Sequence, residues 1–598
     1  MSKPARLFLG VEKSVTGRQW VDRLDEAGLR TAAAIEQQAE VSEILARIMA
    51  GRGVAIEEAK SYLAPTLREL MPDPATLAGM DAMVARLVEA VRKKEKVALF
   101  GDYDVDGACA SALMARYLRG AGLEPSIYIP DRVFEGYGPN VAAMDTLIAG
   151  GATLIVTLDC GTTSRGPIAH AKSRGVDVLV IDHHLTEGEL PPGDAIVNPN
   201  RADDISGLGH LCAAGVTFMV LVALNRALRD QNLAAGAPDL LGLVDLVALA
   251  TVCDVVPLKG LNRAFVLRGL EIMRKGANPG ISALALAARV SGPLNTYHLG
   301  YLVGPRINAG GRIGNAALGS RLLVSTDEHE TLHIAAELDR LNDERRVIEK
   351  LALEEALATA EAEIGEGEGP PVIVTASPNW HQGVVGLVAA RLRERFDRPA
   401  FAISQTPAGG GTGSGRSIPG VDLGAAVLAA VAAGVIEKGG GHAMAAGVTL
   451  APGQLADFRA FLAERLAAQV VAAMENHAVR IDAAIAARAA SPAFLHEIER
   501  AGPFGAGNSN PVFALPSHRV TYAEVVGAGG HVRAKLAAGD RGSVRAIAFR
   551  SVGTPLGRAL LEARGEAPLH FAGTLALNHW QGREDVQFRI LDLATPAP

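Results

Sequence analysis

Cysteine is nearly absent from this sequence: there are four in 598 residues, Cys109, Cys160, Cys212 and Cys253, and no two are spaced as CxxC. That excludes a zinc ribbon and a disulfide framework, and it fits a reducing compartment. Long apolar runs are missing too. The longest uncharged, mostly apolar stretch, Leu423 to Ile436, has 14 residues. This is short of the ~18 needed to cross a bilayer, so a buried helix and no membrane association are expected. The first twenty residues hold no apolar core ending at a cleavage site, which predicts a cytoplasmic protein. An overall basic excess is also lacking, since the net charge is −7. Net charge averages over domains, however, whereas binding depends on local fields. From Leu515 to Arg550, six basic residues (Arg519, Arg533, Lys535, Arg541, Arg545, Arg550) face only Glu524 and Asp540. The glycines of Gly409 to Gly415 match neither GxGxxG nor GxxxxGK[ST], so neither ATP nor a dinucleotide is expected.

What is present is a long chain of ordinary globular composition, 49% hydrophobic and 21% charged. The length predicts three to five domains. Residues 1–75 read as short helices without evident chemistry. From Val97 onward, short apolar runs alternate with helical periodicity. Strands are predicted at Val97 to Phe100, Ser126 to Pro130, Thr153 to Leu158 and Asp177 to Ile181. Helices are predicted at Ala108 to Arg119, Val141 to Ala149 and Arg165 to Arg174. Strands apolar on both faces and separated by helices imply a doubly wound parallel sheet. Asp327 to Ile364 is charged, has Leu338, Leu341, Ile348 and Leu351 at helical spacing, and holds no Gly or Pro before Gly365. It predicts one long helix between two lobes. A second α/β lobe opens at Val372 to Thr375, and alternation at Ser543 to Arg550 and Val586 to Leu593 predicts a small β-barrel.

Four acidic or histidine clusters each follow a predicted strand or apolar segment: Gly101-Asp-Tyr-Asp-Val-Asp-Gly107, Leu158-Asp159, Ile181-Asp182-His183-His184, and Ala250-Thr-Val-Cys-Asp254. Carboxyl ends of strands in an open parallel sheet converge on one crevice. That would pool Asp102, Asp104, Asp106, Asp159, His183, His184 and Asp254. So many carboxylates cannot stay ionised together without cations. The mixture with imidazole favours Mn²⁺ over Ca²⁺, with Mg²⁺ second, and no thiolate cluster suggests structural zinc. Taken singly, each cluster has a plainer explanation. The first mimics a calcium loop but has Leu113 at the twelfth position, Asp159 reads as a helix cap, and Asp182-His183-His184 reads as a turn. Their coincidence at four places where a strand should end favours the metal reading.

These motifs resemble the DHH phosphoesterase superfamily. Within it, DYDVDG, LVALATVCDVVPL and Gly304-Pro-Arg-Ile-Asn-Ala-Gly-Gly-Arg-Ile-Gly314 are similar to the RecJ family of single-strand-specific exonucleases. Trp380-His-Gln-Gly-Val-Val-Gly386, Gly413-Ser-Gly-Arg-Ser417 and Gly439-Gly-Gly-His442 resemble the DHHA1 domain. Pro503-Phe-Gly-Ala-Gly-Asn508 and Asn578 to Leu593 resemble the family's oligonucleotide-binding (OB) domain. The resemblance implies an α/β DHH lobe (76–325), a linker helix (326–368), a smaller α/β DHHA1 lobe (369–470) and an OB-like barrel (471–598). It implies Asp104 on one of two divalent ions, Asp106 and His183 on the other, Asp159 bridging and Asp254 completing the second. Asp102 would be a further ligand or a neighbour of one, and His184 would contact the scissile phosphate. Asp159, His184 and Asp106 would then be the catalytic residues, and the paired ions would activate a water and stabilise the leaving oxygen. Cys253 stands where the family pattern suggests a small residue such as Ala.

The resemblance further implies 5′→3′ hydrolysis of single-stranded DNA to 5′-mononucleotides in repair and recombination, by a monomer working with a helicase and a single-strand-binding protein. Arg132, Arg306, Arg312, Ser414 and Arg416 are candidates for the terminal 5′-phosphate, since guanidinium forks match phosphate oxygens and glycines admit backbone N–H groups. The choice between Arg306 and Arg312 stays open, and His442 is a further substrate contact. The narrow crevice between the two lobes would exclude duplex. Phe504, Phe513, Tyr522, Phe549, His579, Trp580 and Phe588 are possible base stackers, with Trp580 and His531 preferred. Two other readings compete: a small-substrate DHH enzyme (oligoribonuclease, cyclic-dinucleotide phosphodiesterase or manganese pyrophosphatase) and a non-catalytic DNA-binding scaffold.

Overall fold

Five short strands build the first sheet, four of them almost wholly buried and the edge strand Ser126–Tyr128 not. From one edge to the other they are Ser126–Tyr128, Val97–Gly101, Leu154–Leu158, Asp177–Ile181 and Ala195–Val197, all parallel. The computed structural model describes residues 6–596, except 133, 187, 366–368, 476, 528, 540–541, 564, 566 and 581–582 and the side chains at 475, 578–580 and 583–584. Helices Val105–Gly120, Val141–Ala149 and Arg165–Ser173 make the crossovers. Strand order reverses between Val97–Gly101 and Leu154–Leu158, the switch point at which ligands bind in such sheets. The sequence-predicted strands and helices are all present, with ends shifted by a few residues; Ala195–Val197 is additional.

A second, mixed sheet runs Lys438–His442, Ala445–Leu450, Gly411–Arg416, Ala400–Gln405, Ile373–Ser377; only the last pair is parallel. The expected long helix is Glu328–Ile364, of 37 residues and thus about 55 Å long. Asp327 caps it, accepting from the His329 and Glu330 N–H groups, and Gly365 ends it at φ +58°. Its first half packs on Pro279–Ala287 and Gly304–Ile313, its second half on Val385–Phe396, so one rod splints both sheets' layers. The helix expected over Leu423 to Ile436 is shorter, Leu423–Ala432, and buries one face (Leu423, Ala426, Val427, Ala430) while Leu428 is exposed. Among the described residues, no helix is long and apolar enough to cross a membrane.

The barrel closes: Phe513–Val526 pairs with His531–Ala537, and the ladder continues through Ser543–Ala548, Arg583–Ala594 and Leu569–Trp580 back to Phe513–Val526. The amino-terminal segment belongs to it. The chain divides into two compact units, one of Met1–Leu70, Pro257–Ala264 and His477–Pro598, the other of Met71–Val256 and Phe265–Asn476. Gln19–Asp22 pairs in parallel with Ala478–Ile481, and buried Trp20 donates to Asp592 at 3.0 Å. Ile35, Leu45 and Ile48 share a core with Phe513, Phe571 and Phe588. Within the same unit, Arg263 stacks on Tyr62 and donates to the carbonyls of Tyr62, Arg500 and Gly502.

Candidate metal centre and anion cluster

The parallel register sets Gly101, Leu158 and Ile181 side by side at the carboxyl edge of the first sheet. The ladder runs one residue further, with Asp102 N on Leu158 O, Asp159 N on Ile181 O and Asp182 N on Val197 O. Three acidic residues are thus fixed at one level by backbone pairing alone. Helix Val105–Gly120 then starts at once. Asp104 caps it, accepting from Asp106 N (2.9 Å) and Gly107 N (3.1 Å). Gly107 is required, because a Cβ there would meet Asp102 O at 2.5 Å. Asp106 is buried and accepts the N–H groups of Ala213 (2.6 Å) and Ala214 (2.8 Å), the first turn of helix Ala213–Asp230.

Asp254 arrives differently from the sequence expectation. It caps the end of a helix, Val244–Cys253, rather than following a strand. That helix is apolar all round, so its sequence lacks the polar stripe that separates helix from strand. Cys253 is half-buried there, with its Sγ 3.4 Å from Leu299 O. Burial pushes its thiol up, which keeps it an inert packing residue.

Ligand-type atoms gather in three overlapping groups, each within 4.8 Å: Asp102/Asp104/Asp159, Asp106/His183/Asp254 and Asp159/His183/His184. His183 Nε2 lies 3.3 Å from Asp159 Oδ1 and 3.7 Å from both Asp106 Oδ2 and Asp254 Oδ2. Burial first, and neighbouring carboxylates second, push up the carboxyls of Asp102 and Asp159; the same forces raise Asp106 and Asp254. Asp102 Oδ1 and Asp159 Oδ1 are buried without a hydrogen-bond partner. Asp159 also holds φ +65°, a strained conformation for a residue with a Cβ. Buried, mutually repelling, unsatisfied oxygens beside an imidazole fit divalent cations well.

Asp182 has another task. It accepts from His183 N (2.8 Å), His184 N (3.2 Å) and Thr162 N (3.0 Å), and lies 2.8 Å from His184 Nδ1. Burial opposes its charge, but these bonds outweigh burial and hold its carboxyl well below the usual range. Burial likewise opposes charge on His184, yet the Asp182 bond and the Asp254 and Asp102 carboxylates lift that ring to about 9. Sequence reasoning missed three orienting residues here. Asn198 Nδ2 donates to His184 O (2.9 Å), Asn200 Nδ2 to His183 O (2.5 Å), and the Tyr137 hydroxyl to Asp159 O (3.2 Å). The run Val197-Asn-Pro-Asn200 after an apolar segment was the available signal.

The arginine candidates separate cleanly. Arg306 is buried in an ion pair with Asp339 at 2.8 Å and donates to Leu302 O, so it fastens two helices. Arg132, Arg312 and Arg416 instead lie within one another's electrostatic reach. Burial first, then Arg132, Arg345 and Arg416, lower Arg312 to about 10; burial and then Arg132 lower Arg416. Among the described residues, no carboxylate forms an ion pair with any of the three. Arg132 donates to the Tyr103 hydroxyl and covers its ring at 4.8 Å. Gly311 makes room for that ring, since a Cβ there would meet it at 2.6 Å. Arg416 donates to Ser414 Oγ at 2.8 Å, and both project from strand Gly411–Arg416. His442, at the end of the edge strand, is lowered by burial, then by Arg416 and His184, so it lies within the field of both clusters.

On the barrel, Phe513 and Phe588 are buried core residues, while Tyr522 and Phe549 are exposed. Tyr522, Lys535, Arg545 and Gln587 lie in cross-strand register on one face. His531 packs edge-on against Phe549 at 5.2 Å. The side chains of His579 and Trp580 lie outside the described residues.

Comparison with known proteins agrees with this architecture. Residues 96–251 match the DHH family, N-terminal domain, 369–468 the DHHA1 domain, and 481–592 the RecJ OB domain. The single-stranded-DNA-specific exonuclease RecJ of Salmonella typhimurium is 37% identical over 80% of this chain and 84% of its own. That of Escherichia coli is 40% identical over 69% and 72%. The crystal structure of RecJ in complex with Mn²⁺ from Thermus thermophilus superposes with a TM-score of 0.76 at 28% identity, covering 95% of this chain and 78% of that one. A doubly wound sheet with its acidic edge, a second mixed α/β lobe and a closed barrel, matched over most of the length, make this chain a member of the RecJ family.

Proposed function

We infer that this chain hydrolyses single-stranded DNA from the 5′ end, releasing 5′-mononucleotides. The observation that carries the polarity is the cluster of Arg132, Arg312 and Arg416 with Ser414: three guanidiniums with no carboxylate ion pair among the described residues, suited to a terminal phosphate. Asp104, Asp102 and Asp159 would hold one divalent ion, and Asp106, His183 and Asp254 the other. Manganese or magnesium bound there supplies water activation and stabilisation of the leaving oxygen. The chain's own residues do the rest. Asp182 keeps the His184 ring oriented and cationic for a phosphate oxygen, Asn198 and Asn200 hold the loop that carries both histidines, and the arginines count from the end. In this reading 76–325 carry the chemistry, 326–368 link the lobes, 369–470 receive the terminus and 471–598 guide the strand. Kinship supports repair and recombination as the setting, a helicase and a single-strand-binding protein as partners, a monomeric state and a cytoplasmic place.

End-labelled strands test the polarity. With Mn²⁺, a 5′ label should appear at once as mononucleotide while a 3′ label stays in shortening strands; the reverse pattern would sink this reading. Arg416→Ala should raise KM for a 5′-phosphorylated strand by ~10–100-fold, the worth of one or two charge-assisted bonds, and leave a 5′-hydroxyl strand unaffected.

The Tyr522–Lys535–Arg545 stripe supports a strand guide, since backbone charge and ring faces are what a sequence-neutral binder offers. Lys535→Glu should weaken binding of long strands and flatten its salt dependence by about 0.7 per lost phosphate contact. Filter binding across a salt series would read this, and an unchanged slope would remove the stripe from the strand path.

A further inference from the structure

Immediately after Asp254 the backbone takes an unfavourable turn. Val255 has φ +61°, a left-handed conformation that a β-branched residue adopts only where its surroundings impose it. Its side chain is held out, 68% exposed. Helix Val244–Cys253, which delivers Asp254, packs against the π turn Leu299–Val303, with Cys253 Sγ 3.4 Å from Leu299 O. Tyr297 and Tyr301 flank that same Leu299. Their rings stack with centroids 5.1 Å apart and planes 28° from parallel, and they are 50% and 68% exposed. Wide turns of this kind are rare and concentrate at functional sites.

Single exposed apolar residues need no explanation. Here one directly follows Asp254, and the other two sit on and just before the turn against which the helix that delivers Asp254 packs. We propose that Val255, Tyr297 and Tyr301 form a stacking platform for the nucleobases beside the phosphodiester being cut. The proposal rests on the reading of this chain as a single-strand exonuclease. Its occupant follows from position: the platform begins one residue from Asp254, where a seated protein would close the site and a passing strand would not. Every base has a π face, so such a platform holds successive nucleotides without selecting sequence. Val255, fixed outward by its backbone, supplies an aliphatic edge against which a base stops.

The test compares a 5′-phosphorylated oligothymidylate with the same strand carrying abasic residues next to its first phosphodiester, in Mn²⁺. The wild type should favour the strand with bases. The double variant Tyr297→Ala/Tyr301→Ala should lose that preference, KM for the base-bearing strand rising on the order of tenfold while KM for the abasic strand stays put. Tyr297→Phe/Tyr301→Phe should behave as wild type, because stacking needs the ring and not the hydroxyl. Retention of the preference by the alanine variant would overturn the platform, and so would an equal fall on both strands, which marks a disturbed Asp254. A wild type that cleaves neither strand would instead overturn the exonuclease reading, and the platform with it.

Discussion

Replacing Asp159 by Ala should reduce hydrolysis of single strands by well over a hundredfold in saturating Mn²⁺, while strand binding is largely kept. Losing a residue that only orients a metal ligand costs about 10–100-fold. Asp159 belongs to two of the three ligand groups, so its loss should cost more. Binding survives because Arg132, Arg312, Arg416 and the barrel stripe do not touch it. Single-turnover digestion and filter binding on one preparation separate the two effects, and undiminished hydrolysis would show that the cluster is not the active site. Asp159→Asn should be equally inactive, yet the metal-free protein should melt higher at pH 8 than the wild type. Asn tolerates the left-handed backbone about as well as Asp and removes a buried charge with an unsatisfied oxygen.

Removal of divalent metal should destabilise the protein far more at pH 8.5 than at pH 5.5. Asp254 is pushed up to about 9, mainly by burial and then by Asp106 and Asp104. A carboxyl raised in the folded state binds more protons there than unfolded. Its stabilising contribution is complete below the unfolded value near 4 and is lost as pH climbs toward 9. His184, lifted to about 9, contributes fully below about 6.5 and also loses its share on the way up. Both trends run the same way, so the metal-free melting temperature should fall steadily across this range. Bound cations offset the exposed repulsion, and their affinity grows as protons leave. At a hundredfold excess over Kd, Mn²⁺ should raise the melting temperature by roughly 5 °C at pH 8.5 and much less at pH 5.5. Calorimetry with and without chelator reads this; a pH-independent shift would mean that the carboxylates are not what the ion neutralises.

Much of this centre is legible in the order of residues alone. Asp102, Asp159 and Asp182-His183 each end an apolar run, and parallel pairing leaves the ends of such runs nowhere to go but side by side. What stayed illegible depends on distant partners. Arg306 and Arg312 sit six residues apart on one helix, and only the presence of Asp339 beside the first tells them apart. Asp254 hid because a helix buried on every side has no periodicity to betray it. Asn198 and Asn200 are marked only by the Val197-Asn-Pro-Asn200 run, and Tyr103 and Tyr137 matter through bonds to Arg132 and Asp159 that no local pattern encodes. Residues 1–75 read as short helices without evident chemistry; their apolar positions are spent on a barrel whose strands lie nearly 500 residues further along.

That pairing of the first strand with the far end has a consequence for synthesis. Trp20 and Asp592 meet across 572 positions. At ~5–20 residues per second, the amino-terminal helices leave the ribosome roughly half a minute or more before the barrel that covers Ile35, Leu45 and Met49 exists. Meanwhile the unit made of Met71–Val256 and Phe265–Asn476 can fold, except that its own chain is interrupted by Pro257–Ala264, which must also wait. Leu258 finds its backbone partner, and Arg263 completes its own set, only when Ala506, Arg500 and Gly502 emerge. Birth of this protein is therefore a problem of holding two early segments unsatisfied and unaggregated until the last hundred residues arrive, which makes the nascent chain a natural client for chaperones.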